Sequence, residues 1–389
     1  MKTVAVLVQN LHNGGAERMA ANLSLELSKH YRVYMIVFDG EGAIYPCGGK
    51  LIDLKVPPIV KGSSLKRIGN TILRVRKLRY LKKKLSIDCC ISHMEGANLV
   101  NILSRRGDKV LCVYHSMPSM CEGGSFLNKC LHRFIGQGAD RYLTVSKPAE
   151  EDMADSFGVD RRKLGCIYNF CDLEKIASKK EEPLDDRSEA FYKMHNNVIV
   201  HAGRMIPLKA QHRLIEVCKR LRDEGMNSGL VILGEGEERK RLEKLASSLG
   251  IKEHVFMPGE VENPFPYIKR ADVFALCSVF EGLPMVLIEA LSCGCPVVSM
   301  DMKSGAREIL APGTDVRMSA SDIEYARYGI LTPPCGEKDG QRELELFYQA
   351  VKQMLCDEKL RAGYLKLCRE GAERFSAESV GGEWRELIG

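Results

Sequence analysis

Short apolar runs alternate along the chain with longer stretches in which apolar residues return every third or fourth position. In the first half, "TVAVLVQN" (3–10), "RVYMIVF" (32–38), "DCCISH" (88–93), "KVLCVYH" (109–115) and "RYLTVS" (141–146) predict strands buried on both faces. Between them, residues 16–29, 65–85 and 126–137 carry helical spacing. The second half repeats the scheme. There "NVIVHAG" (197–203), "GLVILG" (229–234), "HVFMPG" (254–259), "VFALCS" (273–278) and "PVVSMD" (296–301) predict strands, and 209–224, 237–249, 264–270, 284–293 and 342–356 predict helices. Such alternation implies parallel sheets covered on both sides. Appearing twice in 389 residues, it predicts two doubly wound α/β domains, 1–180 and 190–370, divided by the charge-dense stretch "SKKEEPLDDRSEA" (178–190). Ligands of open parallel sheets bind off the carboxyl ends of the strands, so a cleft between two such edges is expected.

Composition narrows the class. The chain is 45% hydrophobic and 28% charged, as in ordinary globular proteins. No apolar run approaches the ~20 residues that span a bilayer. The start "MKTVAVLVQN" turns polar too soon for a signal peptide. Fifteen cysteines include no Cys-x-x-Cys, and only Cys89–Cys90 and Cys293–Cys295 are close pairs. That argues against zinc and disulfide frameworks and for reduced thiols in a cytoplasmic protein.

The net charge of +6 conceals an asymmetry. Residues 1–180 carry 29 Lys and Arg against 17 Asp and Glu, a net +12, while the remainder carries 28 against 34, a net −6. Ten of the cations fall in "KGSSLKRIGNTILRVRKLRYLKKK" (61–84), where Leu65, Ile68, Ile72, Val75, Leu78, Leu81 and Leu85 recur at helical spacing. Two readings stay open: a basic amphipathic helix in peripheral contact with anionic lipid at the inner face of the membrane, or a sheet-covering helix with a solvated basic face. Nucleic acid is not expected, because no aromatic interleaving or nucleic-acid motif accompanies the charge.

The candidate chemistry lies at predicted strand ends. "EGLPMVLIEALSCG" (281–294) puts Glu281 just outside a helix and Glu289 two turns inside it. Pro284 suits the first helical position, Val286, Leu287, Ala290 and Leu291 follow at helical spacing, and Gly294 suits the stop. The opening of that helix would aim unpaired N–H groups at a phosphate. In "HAGRMIPLKAQHRLIEV", Arg204 follows a strand directly and Lys209 comes five residues later, so two cations meet the same edge and would hold a diphosphate. Gly234 and Gly236 form a lone G-x-G, which reads as a tight turn. In "LVQNLHNGGAERMAANLSLEL", Gly14 and Gly15 lie between strand and helix, where a phosphate could approach closely. The full G-x-G-x-x-G fingerprint is missing, which argues against a dinucleotide oxidoreductase. His115 ends a strand at the same kind of edge; placement alone leaves a structural and a functional role equally open. There is no Asp-x-Asp, so leaving-group charge would be met by Arg204, Lys209 and helix N–H groups rather than by a metal.

Taken in order, "NGGAER", "AGRMIPLK", "GEGEERKRLEKLA", "MPGEVENPFPYIKRADVF" and "EGLPMVLIEALSCGCPVV", continuing to "SGAREIL", make the chain resemble the retaining GT-B glycosyltransferases of family four, glycosyl transferases group 1, over almost its whole length. The resemblance implies an acceptor-side Rossmann-like domain, a donor-binding one, and a final helix within 371–389 that crosses back to the first. It implies a nucleotide diphosphate sugar donor, UDP-linked, with no metal or other cofactor. Arg204 and Lys209 match the pair that neutralises the diphosphate, Glu281 the acid that meets hydroxyls of the transferred sugar, and Glu289 the acid that holds the ribose. Gly203, Gly282, Leu283, Pro284, Met285 and Val286 belong to the phosphate cradle, and Pro258, Gly259, Glu260 and Val261 to the base contact. Gly14 and Gly15 match a loop approaching the phosphates from the other domain, and His115 matches a histidine near the reacting sugar. Lys209 is followed by Ala-Gln, where many members have Gly or Asn nearby. The implied reaction moves a hexose or N-acetylhexosamine to a hydroxyl of a glycan or polyprenyl-diphosphate-linked acceptor. A nucleotide-sugar epimerase of similar fold and a non-catalytic nucleotide-sugar binder are the alternatives.

Overall fold

The computed structural model describes residues 1–12, 14–58, 64–122, 125–336 and 340–389. It divides into two compact units, Met1–Phe170 with Ala377–Gly389, and Cys171–Ser376. The cysteines described are all free thiols.

The first unit is built on β1 (Thr3–Val8), β2 (Arg32–Val37), β3 (Lys50–Asp53), β4 (Cys89–His93), β5 (Lys109–Tyr114), β6 (Arg141–Thr144) and β7 (Leu164–Cys166). They pair in parallel in the order β3-β2-β1-β4-β5-β6-β7. Every residue of β1 is buried, because helices cover both faces. The intervening helices are α1 (Gly15–Ser28), α2 (Ser64–Lys84), α3 (Glu95–Leu103), α4 (Pro118–Glu122), α5 (Phe126–Gly138) and α6 (Lys147–Asp155). Helix α2 packs on α3, and α3 on α5, as one layer.

The second unit begins with α7 (Leu173–Lys179) and α8 (Asp186–Met194). Its strands are β8 (Asn197–Ala202), β9 (Ser228–Leu233), β10 (Val255–Gly259), β11 (Val273–Leu276), β12 (Val297–Met300), β13 (Glu324–Ala326) and β14 (Gly329–Thr332), in the order β10-β9-β8-β11-β12-β14-β13. Only β13 runs antiparallel. The helices are α9 (His212–Asp223), α10 (Arg239–Ser248), α11 (Phe265–Arg270), α12 (Met285–Cys293), α13 (Ala306–Leu310), α14 (Gln341–Cys356) and α15 (Glu358–Glu373). The chain then returns to the first unit as α16 (Ala377–Ile388), which packs on α1.

The charge-dense stretch 178–190 is not the divide. It closes α7 and opens α8, and its polar groups are consumed locally: Asp185 caps α8 by accepting from Arg187 and Ser188 N–H, and Lys180 donates to Ser292 O. The divide falls at Phe170–Cys171, and the returning segment starts at Ala377 rather than 371.

Helix α3, absent from the periodicity, is hidden by its inward polar residues. Asn98 and Asn101 are buried, and their amides donate to Val113 O and Cys90 O at 3.0 and 2.9 Å.

Neither reading of 61–84 covers the whole segment, whose first three residues lie outside those described. In α2, Val75, Leu78, Leu81 and Leu85 enter the core. Lys82 is fully buried, 2.7 Å from Asp108 and bonded to Asn101, so one of the ten cations is no surface charge. Arg74 stacks on Phe38, and Lys77 donates to Leu54 O. Leu65 and Ile68, by contrast, are 81% and 56% exposed.

Candidate functional site

In each unit the strand order reverses beside one central strand: between β1 and β4 in the first, between β8 and β11 in the second. Loops leaving the two strands there must diverge, and the crevice they leave is where parallel sheets bind ligands.

In the second unit these loops carry the two candidate charges. After β8 the chain turns through Gly203 and Arg204 into a single 3-10 turn, Pro207–Lys209, and α9 starts only at His212, three residues later than expected. Lys209 lies 2.5 Å from Glu281 Oε1, on the loop after β11, and Ser278 donates to the same oxygen at 2.8 Å. The pair is mostly but not wholly buried, with the Lys209 and Glu281 side chains 19% and 13% exposed. Arg204 is exposed. The loops are also tied through the backbone, Val279 N–H donating to Leu208 O at 2.9 Å. Beneath them Arg213 is fully buried and donates to Cys277 O and Gly336 O. Carbonyl oxygens thus satisfy a buried guanidinium while fixing the end of β11. Ala210, next to Lys209, has a φ of +50°, a left-handed conformation in which glycine is the easiest residue.

The lone G-x-G buttresses this turn. A Cβ on Gly234 would stand 2.3 Å from Gly203 O, and one on Gly236 would stand 2.2 Å from Met205 O. Glycine therefore lets the β9 loop press backbone to backbone on Gly203–Met205, with Met205 N–H bonded to Glu235 O. Gly234 N–H donates in turn to Gly259 O, which brings the 258–261 stretch against the same turn. His201, at 0% exposure on β8, donates from Nδ1 to Ala275 O at 3.0 Å. Its Nε2 is left a buried acceptor without a partner, and burial pushes the imidazole down to about 4.

Helix α12 opens beside Glu281. Pro284 is its N-cap rather than its first helical residue, with a φ of −73° and no side-chain cap, so the first N–H groups of the helix stay available. Gly294, in the left-handed region at φ +77°, ends it. Leu287, Ile288, Ala290 and Leu291 are buried, and Glu289 is buried among them, two turns from Glu281. The turn before the helix is held from behind. Ser304 donates to Gly282 O. At Gly305 (φ +81°) a Cβ would come within 2.5 Å of Pro284 Cδ. The loop bearing both is anchored by Arg307, which bonds Asp301 at 2.6 Å. Ser278, His201, Arg213, Ser304 and Gly305 were not among the sequence candidates. Only Gly305, in "SGAREIL", carried a visible signal.

The first unit ends its central strands in neutral groups. Gly14 is the N-cap of α1 in ordinary extended backbone, and a Cβ on Gly15 would meet nothing within 4 Å. Neither glycine is required by the fold of its own turn, and open space lies over Gly15. His115 stands one residue beyond β5, and its Nε2 is 2.8 Å from Nδ1 of His93, the last residue of β4. The rings stack with centroids 5.1 Å apart. Burial pushes His115 down to about 4 and, with His115 beside it, holds His93 well below its usual value, so both are neutral imidazoles sharing one proton. The outer nitrogens, His93 Nε2 and His115 Nδ1, are buried without partners. His93 was missed because a histidine closing a strand reads as core.

The chain matches the family Glycosyl transferases group 1 over residues 184–322 and Glycosyltransferase Family 4 over residues 13–175. It is 30% identical, over 98% of its length and 97% of the relative's, to N-acetylgalactosamine-N,N'-diacetylbacillosaminyl-diphospho-undecaprenol 4-alpha-N-acetylgalactosaminyltransferase of Campylobacter jejuni. An uncharacterised glycosyltransferase of Methanocaldococcus jannaschii is also 30% identical, over 81% of this chain and 82% of its own. Among solved structures, Anabaena HepE in complex with UDP and glucose superposes with a TM-score of 0.76 at 18% identity, covering 100% of this chain and 99% of that one. Sucrose-phosphate synthase of Thermosynechococcus elongatus gives the same values. At that identity the likeness concerns the fold.

Proposed function

Because the chain belongs to the glycosyltransferases of family 4, glycosyl transferases group 1, and has their GT-B fold, we propose that it moves a hexose or N-acetylhexosamine from a UDP-linked donor to a hydroxyl of a lipid-linked or glycan acceptor, with retention at the anomeric carbon, in assembly of a cell-surface polysaccharide or glycoconjugate. The name of the C. jejuni relative, with its diphospho-undecaprenol acceptor, supports a polyprenyl-diphosphate-linked acceptor and an N-acetylhexosamine. The UDP complex of HepE supports the nucleotide. Residues 61–84 would lie against the anionic bilayer that carries such an acceptor.

The observation that carries this reading is the Lys209–Glu281 pair across the β8–β11 crevice, beside the uncapped opening of α12. The barrier lies in breaking the anomeric C–O bond while charge grows on the departing diphosphate. A cation and a row of N–H groups already in position stabilise that charge more in the transition state than in the ground state. Arriving phosphate competes with Glu281 for Lys209. The carboxylate so released is free to accept from hydroxyls of the transferred sugar, and donor binding thereby arms it. Arg204, exposed beside Lys209, supplies the second positive charge, and Glu289 holds the ribose. No step needs a divalent ion in this scheme. The retained configuration follows from same-face attack, the leaving phosphate taking the acceptor proton.

The test is a thermal-shift screen of UDP-hexoses and UDP-N-acetylhexosamines, followed by mass spectrometry of products on polyprenyl-diphosphate-linked acceptors, with and without chelator. An acceptor one sugar longer, formed in the presence of chelator, is the expected result. A donor altered without any acceptor would identify an epimerase instead. Activity lost on chelation and restored only by magnesium or manganese would overturn the metal-free step.

A further inference from the structure

The helical layer α2–α3–α5 presents an outer surface unlike any water-facing helix of the second unit. No acidic residue lies between Asp53 and Asp88, or between Glu122 and Asp140, so neither α2 nor the whole of α5 has a carboxylate of its own beyond Glu122 to balance its cations. In the second unit exposed cations meet carboxylates across neighbouring helices, as Arg220 meets Glu345 and Lys352 meets Glu224. The same layer exposes large apolar side chains. On α2 these are Leu65, Ile68, Ile72 and Leu73, and on α5 they are Phe126 and Leu127, each 78% exposed, with Phe134 two turns on. The first turn of α5 is formed locally, Ser125 Oγ accepting from Asn128 N–H, while its inner face buries His132 and Ile135. Phe126 and Leu127 therefore protrude from a folded helix rather than from a frayed end.

In a parallel sheet each connecting helix runs back against its strands, so α2 and α5, which follow β3 and β5, both begin at the carboxyl edge of the sheet. The exposed apolar residues of α2 cluster in its first three turns and those of α5 in its first. Both groups thus lie toward the edge that carries His93 and His115. This unit has 27 Lys and Arg against 18 Asp and Glu, a net +9.

We infer that the start of α5, through Phe126 and Leu127, is a second membrane anchor that acts with the apolar and basic start of α2 to seat this edge of the unit on an anionic bilayer. A surface both positive and apolar, without acids, fits anionic headgroups over acyl chains. A protein partner would have to bring a matching acidic and apolar face, and a second copy of this positive surface would be repelled. The inference rests on the lipid-linked acceptor proposed above, since it explains how a chain with no membrane-crossing helix among its described residues reaches one.

The experiment is co-sedimentation of the full chain with vesicles of phosphatidylglycerol and phosphatidylcholine, and of phosphatidylcholine alone, at low and high salt. Wild type is expected to bind the mixed vesicles. Phe126→Ser with Leu127→Ser should weaken binding about tenfold at both salt levels, and Ile68→Gln with Ile72→Gln similarly. Arg76→Gln with Arg79→Gln should weaken it mainly at low salt. Phe126→Trp should show blue-shifted emission on vesicles and quenching by brominated lipid. Undiminished binding by the Phe126–Leu127 variant, or emission from Phe126→Trp that lipid leaves unchanged, would overturn the inference. So would a wild type that ignores vesicles and instead self-associates through these residues. Vesicle binding needs no donor or acceptor. A chain that docks but transfers no sugar would therefore overturn the proposed function alone, and one that elongates detergent-solubilised acceptor without binding vesicles would overturn the anchor alone.

Discussion

The two units carry the same sheet order through their first five positions, β3-β2-β1-β4-β5 and β10-β9-β8-β11-β12, yet end their central strands in opposite chemistry. At the β8–β11 crevice stand fixed charges, Lys209 and Glu281 bonded to each other, with Arg204 exposed beside them. At the β1–β4 edge and the strand beyond stand glycines and two neutral imidazoles, His93 and His115. Topology supplies the same crevice to both; side chains at the strand ends decide whether it holds charge or only places hydrogen bonds. A diphosphate belongs with the first, and neutral hydroxyl chemistry with the second.

That division can be broken most severely at Lys209. Lys209→Ala should lower kcat/KM for transfer by about 10²–10³-fold, the range for losing one preorganised stabiliser of a developing anion. Lys209→Arg should recover part of the loss. Transfer to the true acceptor at the wild-type rate would show that the charged crevice is not the phosphate site. Glu281→Gln separates the two partners of the ion pair. Transfer should fall by about tenfold to a hundredfold as a charge-assisted bond to the sugar is lost. UDP, measured by calorimetry, should bind as tightly as before or more tightly, because Lys209 no longer has a carboxylate to release. Weaker UDP binding with normal transfer at saturation would reverse the assignment.

His115→Ala probes the neutral edge. Transfer should drop about tenfold or more, while UDP affinity and its salt dependence stay those of wild type. A loss of UDP affinity that salt modulates would mean that this edge also handles charge. The smallest expected effect concerns His201, whose imidazole is held down at about 4 against an ordinary 6.5. Between those values the unfolded chain binds a proton that the folded chain refuses, so this contribution to stability is complete above the upper value and lost as pH falls toward the lower. His201→Asn keeps an N–H for Ala275 O but does not titrate. In denaturant titrations over that window it should flatten the pH dependence by up to about 3 kcal/mol. An unchanged slope would show that His201 does not stay neutral in the fold.

Much of this was legible before any coordinates. Strand–helix alternation led to two parallel sheets because buried parallel strands must be near-continuous apolar runs, as β1, β5 and β9 are. Glu281, Lys209 and the start of α12 could be named because strand ends and helix openings have local signatures. The boundary was misplaced for an equally local reason: Asp185 and Lys180 look like linker residues until their capping and carbonyl partners are known. Pro284 was displaced by one residue because proline suits either the cap or the first turn.

What the order of residues determined by itself is whatever depends on near neighbours: the sequence of strands and helices, the glycines and proline at their ends, and the excess of positive charge in the first half. Only the tertiary structure decided that Lys209 and Glu281, 72 positions apart, form one ion pair. The same holds for His93 and His115 sharing a proton, for Gly234 and Gly305 serving as supports for other loops, and for Leu65 and Ile68 staying outside while Leu78 goes in. Contacts between distant segments depend on which strands become neighbours in the sheet. Periodicity reports which face of an element is apolar, but not what comes to cover it.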